Sequence, residues 1–268
     1  MVDSRSFLGL NRVGETLSFE MPVDLRISTG GSFLFGGAGL GACISALETV
    51  SKRNLVWATA QYLSFAKTNE LVKIDVTLVV NGPQITQGRA VARVGDREIL
   101  TVNAAFGDRN FEASGQFIKM PEVPAPENVP PRQHIHDSPG TIHDSLQQRV
   151  VKGRNMSQLD GSLSDGNVVM WAHIPALIED VDATALGILG DFVPMAIGQA
   201  LGLAAGGNSL DNTIRIVKLV PTKWVLLDIY IDAIERGFGH GRVNMFAQDG
   251  TLMATASQSC KARKWNNK

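Results

Sequence analysis

Three polar side chains interrupt apolar patterns in the second half of the chain: Asp191, Ser209 and Gln258. Asp191 opens a Gly/Ala-rich stretch at residues 190–207, Ser209 follows that stretch, and Gln258 continues the apolar face of a predicted strand. An unpaired buried polar group costs about 1–3 kcal/mol, so these side chains are expected to hydrogen-bond one another or to hold a water. A carboxylate, a hydroxyl and an amide therefore form a candidate catalytic set.

Each of the three residues also has a non-catalytic interpretation. Asp191 could serve only as the N-cap of the helix that follows it. Ser209 could be a loop residue, and Gln258 a buried amide with satisfied hydrogen bonds. The occurrence of all three together favours a catalytic role over these separate explanations.

A comparison of the two halves of the chain supports that choice. The halves align with an offset of 154 residues from Asn54 to Thr68 and of 153 residues from Arg89 onward, and they share the order of their elements more than their residues. In the first half, Leu55 stands at the position of the hydroxyl and Ala105 at that of the amide. The position of the carboxylate corresponds to residues 35–37 of the first half, which carry no polar side chain. The polar set therefore occurs only in the second half.

Two Gly/Ala-rich stretches, nearly free of charge, predict helices at residues 33–50 and 190–207. Asp191 is predicted to be the N-cap of the second helix, and Gly206 and Gly207 are predicted to end it. A helix that is apolar all round must be enclosed by other elements. We therefore expect each helix to be wrapped by a curved sheet.

Alternation of apolar and polar residues predicts antiparallel strands around these helices. The predicted strands cover residues 16–28, 71–80, 89–94, 98–106, 167–174, 213–219, 225–233, 242–247 and 252–261. The predicted fold class is α+β, with two antiparallel sheets, each wrapped around one long Gly/Ala-rich helix.

The composition narrows the classes of function. The 268 residues include 25 Lys and Arg against 26 Asp and Glu, a net charge of −1, which gives no electrostatic case for nucleic acid or an anionic membrane as partner. Cys43 and Cys260 are expected to be buried free thiols, with a nucleophilic Cys43 as the alternative. The first 25 residues lack the basic start and apolar core of a signal peptide, so we expect a cytoplasmic protein.

Six prolines between residues 108 and 148 predict an extended linker. The predicted division is an N-terminal domain at 1–110 without the polar set, a linker at 111–148, and a C-terminal domain at 149–268 that carries it. His134, His136 and His143 of the linker suggest metal ligands at first sight. No Cys or carboxylate spacing completes a ligand set, so we expect no metal site.

The order of several segments resembles the type II acyl-CoA thioesterases, the TesB-like double hotdog proteins. The segments are FLFGGAGLGACISALETV (33–50), GRAVARVGDREILTVNAAFG (88–107), MPEVPAP (120–126), LGDFVPMAIGQALG (189–202), NSLDN (208–212), KWVLLD (223–228) and DGTLMATASQ (249–258). The resemblance covers about residues 30–265 and rests on order and spacing, not on one motif. It implies a double hotdog fold.

In that family the active site lies in the second hotdog, and the resemblance places its roles on Asp191, Ser209 and Gln258. These residues would hold a water against a thioester carbonyl, with Asp191 as general base or as the group that orients the water electrostatically. The implied enzyme hydrolyses a fatty acyl-CoA to free acid and CoA in lipid metabolism, needs no cofactor, and forms a homo-oligomer. The candidate substrate-binding residues are Gly36, Gly37, Arg89, Lys261 and Arg263.

The chain departs from the family pattern after Asp211. Many members continue with a His and an aromatic-rich run, where this chain has Asn212 followed by TIRIVKLVP. The acyl or pantetheine tunnel is therefore expected to differ in shape. Two other functions stay open: an acyl-thioester binding protein without turnover, and a hotdog hydratase or dehydratase, although the Asp/His segment of the latter is not visible.

Overall fold

The structure, a computed structural model, describes residues 3–132, 139–177 and 181–265. Within these ranges the helices are α1 (Ser4–Leu8), α2 (Gly36–Ser51), α3 (Ile142–Ser145), α4 (Ala183–Leu189) and α5 (Val193–Leu201). The strands are β1 (Asn11–Arg12), β2 (Ser18–Pro22), β3 (Leu55–Tyr62), β4 (Leu71–Asn81), β5 (Ile85–Val94), β6 (Arg97–Gly107), β7 (Gln147–Lys152), β8 (Asn167–His173), β9 (Ala205–Ser209), β10 (Asp211–Ile216), β11 (Val225–Glu235), β12 (Phe238–Ala247) and β13 (Leu252–Lys264).

The strands form one continuous antiparallel sheet, where two separate sheets were predicted. The order is β1-β2-β4-β5-β6-β3-β10-β13-β12-β11-β8-β7, and β9 pairs with β13. The halves join where β3 lies beside β10. At this seam Thr59 pairs with Thr213, and their hydroxyl oxygens are 3.0 Å apart. These two residues are 154 apart, the offset of the repeat, so the approximate two-fold axis of the chain passes between them.

Each predicted strand overlaps an observed strand, but β1, β3, β7 and β9 were not predicted. Of these, β3 matters most, because it joins the two halves. Its inward residues Ala58 and Ala60 are fully buried yet small, which makes the apolar alternation of this strand weak. The strand that joins the two halves thus carries one of the weakest local signals in the sheet.

The predicted helix at residues 33–50 is confirmed as α2. It begins after Phe35, which supplies no side-chain cap, and ends at Lys52 in a left-handed conformation with φ of 58°. All of its residues from Gly37 to Leu47 are buried, because strands of the first half cover one side and α4 covers another.

The prediction of one helix at residues 190–207 is wrong, because the chain breaks between α4 and α5. Pro194 lies in the first turn of α5, where its missing N–H is harmless. In a helix continuing from α4, proline could not donate the backbone hydrogen bond to the carbonyl four residues earlier. The helix ends at Gly202 with φ of 64°. Gly206 and Gly207 lie in β9 instead of ending the helix.

The break also overturns the predicted N-cap. Phe192, not Asp191, occupies the N-cap position of α5, and no side chain caps it. The segment Ala183–Leu201 is long and apolar enough to cross a membrane, yet 78% of its apolar window is buried inside the fold. It packs as core, with α5 against strands of the second half.

Residues 116–129 of the predicted linker pack on the outer face of the second half of the sheet, whereas α3 contacts residues 25–28 of the first half. The indole N–H of Trp171 donates to the carbonyl oxygen of Pro124 at 2.9 Å. Gln116 donates to the carbonyl of Gly250 at 3.0 Å and accepts from the backbone N–H of Leu252 at 2.7 Å. The segment is therefore attached to the sheet rather than solvated throughout.

Candidate active site

The carboxylate of Asp191 lies at the N-terminus of α2, a helix of the other half of the chain. Its Oδ2 accepts a hydrogen bond of 2.6 Å from the backbone N–H of Gly37. The first N–H groups of a helix lack intrahelical acceptors, and the helix dipole favours negative charge beside them. Asp191 therefore caps α2 from across the seam.

Gln258 and Ser209 complete the set around this carboxylate. Nε2 of Gln258 donates to Oδ1 of Asp191 at 2.5 Å and to Oγ of Ser209 at 3.1 Å. Oγ of Ser209 donates in turn to Oδ1 of Asp191 at 3.4 Å. The three side chains selected from the sequence are thus mutual hydrogen-bond partners, and their catalytic role stays a prediction.

Two neighbouring strands place the hydroxyl and the amide. Ser209 ends β9 and pairs with Cys260 of β13. Gln258 lies two residues before Cys260, and alternate residues of a strand face the same side. Ala256, Gln258 and Cys260 are all buried on the inner face, so the amide is directed towards the helices as predicted.

Glycine at the start of α2 makes room for the carboxylate. A Cβ atom on Gly36 would lie 2.7 Å from Oδ2 of Asp191. A Cβ atom on Gly37 would lie 2.9 Å from Cβ of Asp191 and 2.6 Å from the carbonyl oxygen of Ile188. Larger residues at these positions would push the turn between α4 and α5 away from α2.

The polar set occurs on one side of the approximate two-fold axis. Gly37 and Asp191 are 154 residues apart, so each occupies the repeat position of the other. In the first half the place that matches Gln258 is held by the buried Ala104 and not by the predicted Ala105, because Ala104 pairs with Gly88 as Gln258 pairs with Gly241. The other two places hold Gly37, which has no side chain, and the buried Leu55. The fold therefore retains one polar site where its internal symmetry would allow two.

Burial raises the pKa of Asp191 from 3.8 to about 6. Removal from water is the largest effect and favours the neutral carboxyl. The hydrogen bonds from Gln258, Gly37 and Ser209 act in the opposite direction and limit the rise. A carboxylate with this pKa is ionised at neutral pH and is a stronger base than an exposed aspartate.

This pKa predicts the acid limb of the pH–rate profile. If ionised Asp191 is required, kcat/KM should rise with pH through about 6. One pH unit below this pKa, kcat/KM should be about tenfold lower than its plateau value. Steady-state rates between pH 4.5 and 8 with one thioester substrate check this. An acid limb centred near pH 4 would contradict the assignment, since it would indicate an exposed carboxylate.

A cavity of about 660 Å³ opens beside this set. Asp191, Ser209 and Gly36 line it, whereas Gln258, with 2% exposure, lies behind them. The amide therefore contacts the carboxylate and the hydroxyl and not the contents of the cavity. The apolar part of the wall includes Phe33, Phe65, Leu100, Phe192, Met195 and Trp265.

The five predicted substrate-binding residues do not all meet the cavity. Gly36 and Arg263 line it, and Gly37 contributes through its hydrogen bond to the carboxylate. Arg89 on β5 and Lys261 on β13 are exposed and outside the described lining. The cavity walls therefore include one of the three predicted cations.

Sequence reasoning missed several polar residues of the cavity, among them Tyr62, Arg132 and His143, the last two from the segment predicted as linker. The hydroxyl of Tyr62 donates to the carbonyl oxygen of Gly36 at 3.1 Å, and Tyr62 ends the unpredicted strand β3. Arg132, from the segment predicted as linker, also lines the cavity, and burial lowers its pKa to about 10. The one sequence signal for Tyr62 was a polar side chain at the end of the weakly alternating segment that forms β3.

The two cysteines are free and buried, as predicted. Burial raises the pKa of the Cys43 thiol to about 12, which leaves almost no thiolate at neutral pH and excludes Cys43 as a nucleophile. Within the described residues no group of three or more His, Cys, Asp or Glu could hold a metal ion. His134 and His136 lie outside the described residues.

Residues 121–261 match the family model of the acyl-CoA thioesterase C-terminal domain, which is more than half of the chain. No curated protein sequence matches the chain significantly. The sequence comparison therefore rests on the family model.

Solved structures share the fold over nearly the whole chain. A candidate thioesterase from Novosphingobium aromaticivorans is 26% identical, with a TM-score of 0.82, covering 94% of this chain and 97% of that one. A hot dog fold protein of unknown function from Alicyclobacillus acidocaldarius is 18% identical, with a TM-score of 0.85 and 98% of both chains covered. Acyl-CoA thioesterase II TesB2 from Mycobacterium marinum is 17% identical, with a TM-score of 0.75, covering 99% of this chain and 98% of that one.

Proposed function

Because the chain belongs to the acyl-CoA thioesterase family and is a thioester hydrolase with a hotdog fold, we propose that it hydrolyses a fatty acyl-CoA to free acid and CoA. Asp191, Ser209 and Gln258 are proposed to carry the reaction. The observation that supports this most is a buried carboxylate, with its pKa raised to about 6, held by three donors at the wall of a largely apolar cavity.

The carboxylate is proposed to act as general base on a water molecule. Asp191 and Ser209 both line the cavity, so a water beside them could donate to the carboxylate while its oxygen faces a substrate carbonyl. Proton transfer to Asp191 accompanies formation of the bond between water oxygen and carbonyl carbon. A base with a pKa near the working pH makes this transfer efficient.

The remaining step expels the thiol. As the tetrahedral intermediate collapses, the bond between carbon and sulfur breaks and CoA leaves as a thiolate. A thiol has a pKa of about 8.5, so the thiolate is a good leaving group that needs little acid catalysis. The proton held by Asp191 can then return to the sulfur or to solvent, and no histidine is required.

The first turn of α2 is proposed to assist by its dipole. Gly36 lines the cavity at the positive end of this helix, where negative charge on the intermediate is favoured. For the CoA phosphates, Arg263 and Arg132 are the proposed partners, because both guanidinium groups belong to residues of the cavity wall.

We propose further that two fused hotdog units at residues 1–110 and 149–268, joined by a linker at 111–148, make up a double hotdog. The repeat offset and the pairing of Thr59 with Thr213 support this division. The buried free cysteines support a cytoplasmic location. We also propose that the protein forms a homo-oligomer and acts in lipid metabolism. It is proposed to need neither a metal nor a redox cofactor.

Thiol release from a panel of short, medium and long saturated acyl-CoAs tests the function. We expect turnover, with kcat/KM rising about fourfold for each added methylene that the apolar cavity buries, until the cavity is full. The chain length at which the rise stops would measure the acyl pocket. Tight binding without release would indicate a binding protein, and water addition to an enoyl-CoA without thiol release would indicate a hydratase.

A further inference from the structure

The side-chain oxygen of Gln258, Oε1, has no hydrogen-bond partner among the residues of the proposed mechanism. A carboxylate only accepts hydrogen bonds, so the atom of Gln258 that faces Asp191 must be Nε2. Both N–H groups are then used, one on Asp191 and one on Ser209. This orientation directs Oε1 away from the carboxylate, where it is buried and has no hydrogen-bond partner.

A second buried amide lies next to it. Asn212 is fully buried on β10, between β3 and β13. Thr213 pairs with Ser257, so continuing this register by one residue places Asn212 opposite Gln258. Residues opposite each other in an antiparallel pair project from the same face, with Cβ atoms about 4.5–5.5 Å apart.

Neither polar atom of the Asn212 side chain has a hydrogen-bond partner, although Nδ2 and Oδ1 are both buried. Two adjacent side chains thus contain three unpartnered buried polar atoms. Buried amides of this kind are normally satisfied by each other or by an internal water. Gln258 Oε1 lacks a donor and Asn212 Nδ2 lacks an acceptor. The two residues lie on neighbouring strands, so each could supply what the other lacks.

We propose that Asn212 is a positioning residue for the hydrolysis. Its Nδ2 donates to Oε1 of Gln258, directly or through one buried water, and so keeps Nε2 of Gln258 directed at Asp191 and Ser209. This inference rests on the proposed function, since it assigns Asn212 a role in the same site without contact with substrate.

The physical reason is that Gln258 has two ways to orient its amide. Reversing the amide would bring Oε1 against the carboxylate of Asp191, placing two acceptors in contact. A donor fixed behind Oε1 favours the productive orientation. Without that donor, Oε1 stays buried and unpaired, which costs free energy. Gln258 would then lower its free energy by moving towards another donor, and this movement would withdraw Nε2 from Asp191.

Asn212→Leu tests this, because leucine has a similar volume and no donor. We expect kcat to fall about tenfold with KM within twofold of the natural value, as for loss of one buried hydrogen bond in the site. The acid limb of kcat/KM should shift to higher pH, because the donor from Gln258 lowers the pKa of Asp191 and would be weakened.

The ionisable groups around Asp191 decide how the shift in pH is assigned, and they include Tyr62, Cys260 and, in the wall of the same cavity, His143. Burial raises the pKa of Tyr62 on β3 well above 10 and that of Cys260 on β13 to about 12. A His143→Gln variant with an unchanged acid limb would assign that limb to Asp191.

Two further variants separate positioning from general damage. In a Gln258→Leu background, Asn212→Leu should cause no additional loss, because its effect acts through Gln258. Thr213→Val is the matched control. It removes the half-buried hydroxyl contact with Thr59 one residue away, which has no link to Gln258, and should leave kcat and the acid limb unchanged.

A crystal structure of the natural protein and of Asn212→Leu tests the contact independently of turnover. We expect Asn212 Nδ2 within about 3.2 Å of Gln258 Oε1, or one water bridging them, and a displaced Gln258 in the variant. Absence of both arrangements would overturn the inference, as would unchanged kinetics in the variant or equal losses in both backgrounds. Absence of thiol release by the natural protein would instead overturn the proposed function alone.

Discussion

Asp191→Asn is expected to lower kcat by about 10²–10⁴-fold, the range for loss of a general base. Asparagine has nearly the same shape and can still accept from Gly37, so the cavity should keep its form and KM should change little. What is lost is the capacity to take a proton from water. Thiol release at saturating acyl-CoA measures the change, and a fall of less than tenfold would remove Asp191 from the role of base.

Unfolding experiments show whether the loss comes from the chemistry. The pKa of Asp191 is about 6 in the folded protein against 3.8 ordinarily, so the folded state binds this proton more tightly than the unfolded state. Its contribution is fully present below pH 3.8 and is lost as pH rises through 6, a change of about 3 kcal/mol. Asparagine has no such dependence.

At pH 8 the variant should therefore be at least as stable as the natural protein, and its relative advantage should shrink towards pH 4. Asparagine has a single acceptor oxygen, so keeping the bond from Gly37 leaves the donors of Gln258 and Ser209 without theirs, which offsets part of the gain. Chemical denaturation at both pH values measures this difference. If the variant is unfolded at pH 8, its inactivity would result from loss of the folded structure and not from loss of the general base.

Gly37→Ala is expected to lower kcat/KM by about 100-fold, as for displacement of a catalytic group by about 1 Å. The new methyl group would lie 2.6 Å from the backbone oxygen of Ile188 and 2.9 Å from Cβ of Asp191. Because a backbone carbonyl cannot rotate away, the turn that carries Asp191 must move from α2. The same strain should lower the free energy of unfolding by about 1–3 kcal/mol.

Gly39→Ala provides a stability control on the same helix. Its methyl group would meet the side-chain ends of Leu100 at 3.3 Å and Leu34 at 3.5 Å, which can adjust. Alanine favours a helix over glycine by about 1 kcal/mol, so this variant should be as stable as the natural protein or more so. Equal destabilisation by both alanines, or full activity of Gly37→Ala, would contradict the tight contact between α2 and Asp191.

The polar set could be chosen from the sequence because each member departs from its own local pattern. Gln258 stands among alternating buried residues of β13, where an amide is costly unless paired, and its repeat position in the structure holds an alanine, Ala104. Strands such as β4 and β11 were found for the same reason, since burial of one face gives a period of two. These are short-range regularities that a single chain displays without its fold.

The errors occurred where local pattern is weak or ambiguous. The stretch at residues 190–207 has no charge after Asp191, so nothing in its hydropathy marks the break before Pro194 or the end at Gly202. β3 was missed because Ala58 and Ala60 alternate too faintly. Missing β3 concealed the seam between the halves, and with it Tyr62.

By itself the sequence determined which three side chains must find partners, and that one half of the repeat carries them. Only the tertiary structure decided that the carboxylate caps the helix of the opposite half and that Asn212 lies beside Gln258. The contact of Asp191 with Gly37 spans 154 residues and that with Gln258 spans 67. Contacts over such separations leave no trace in local periodicity, because they depend on how β3 and β10 bring the two halves together.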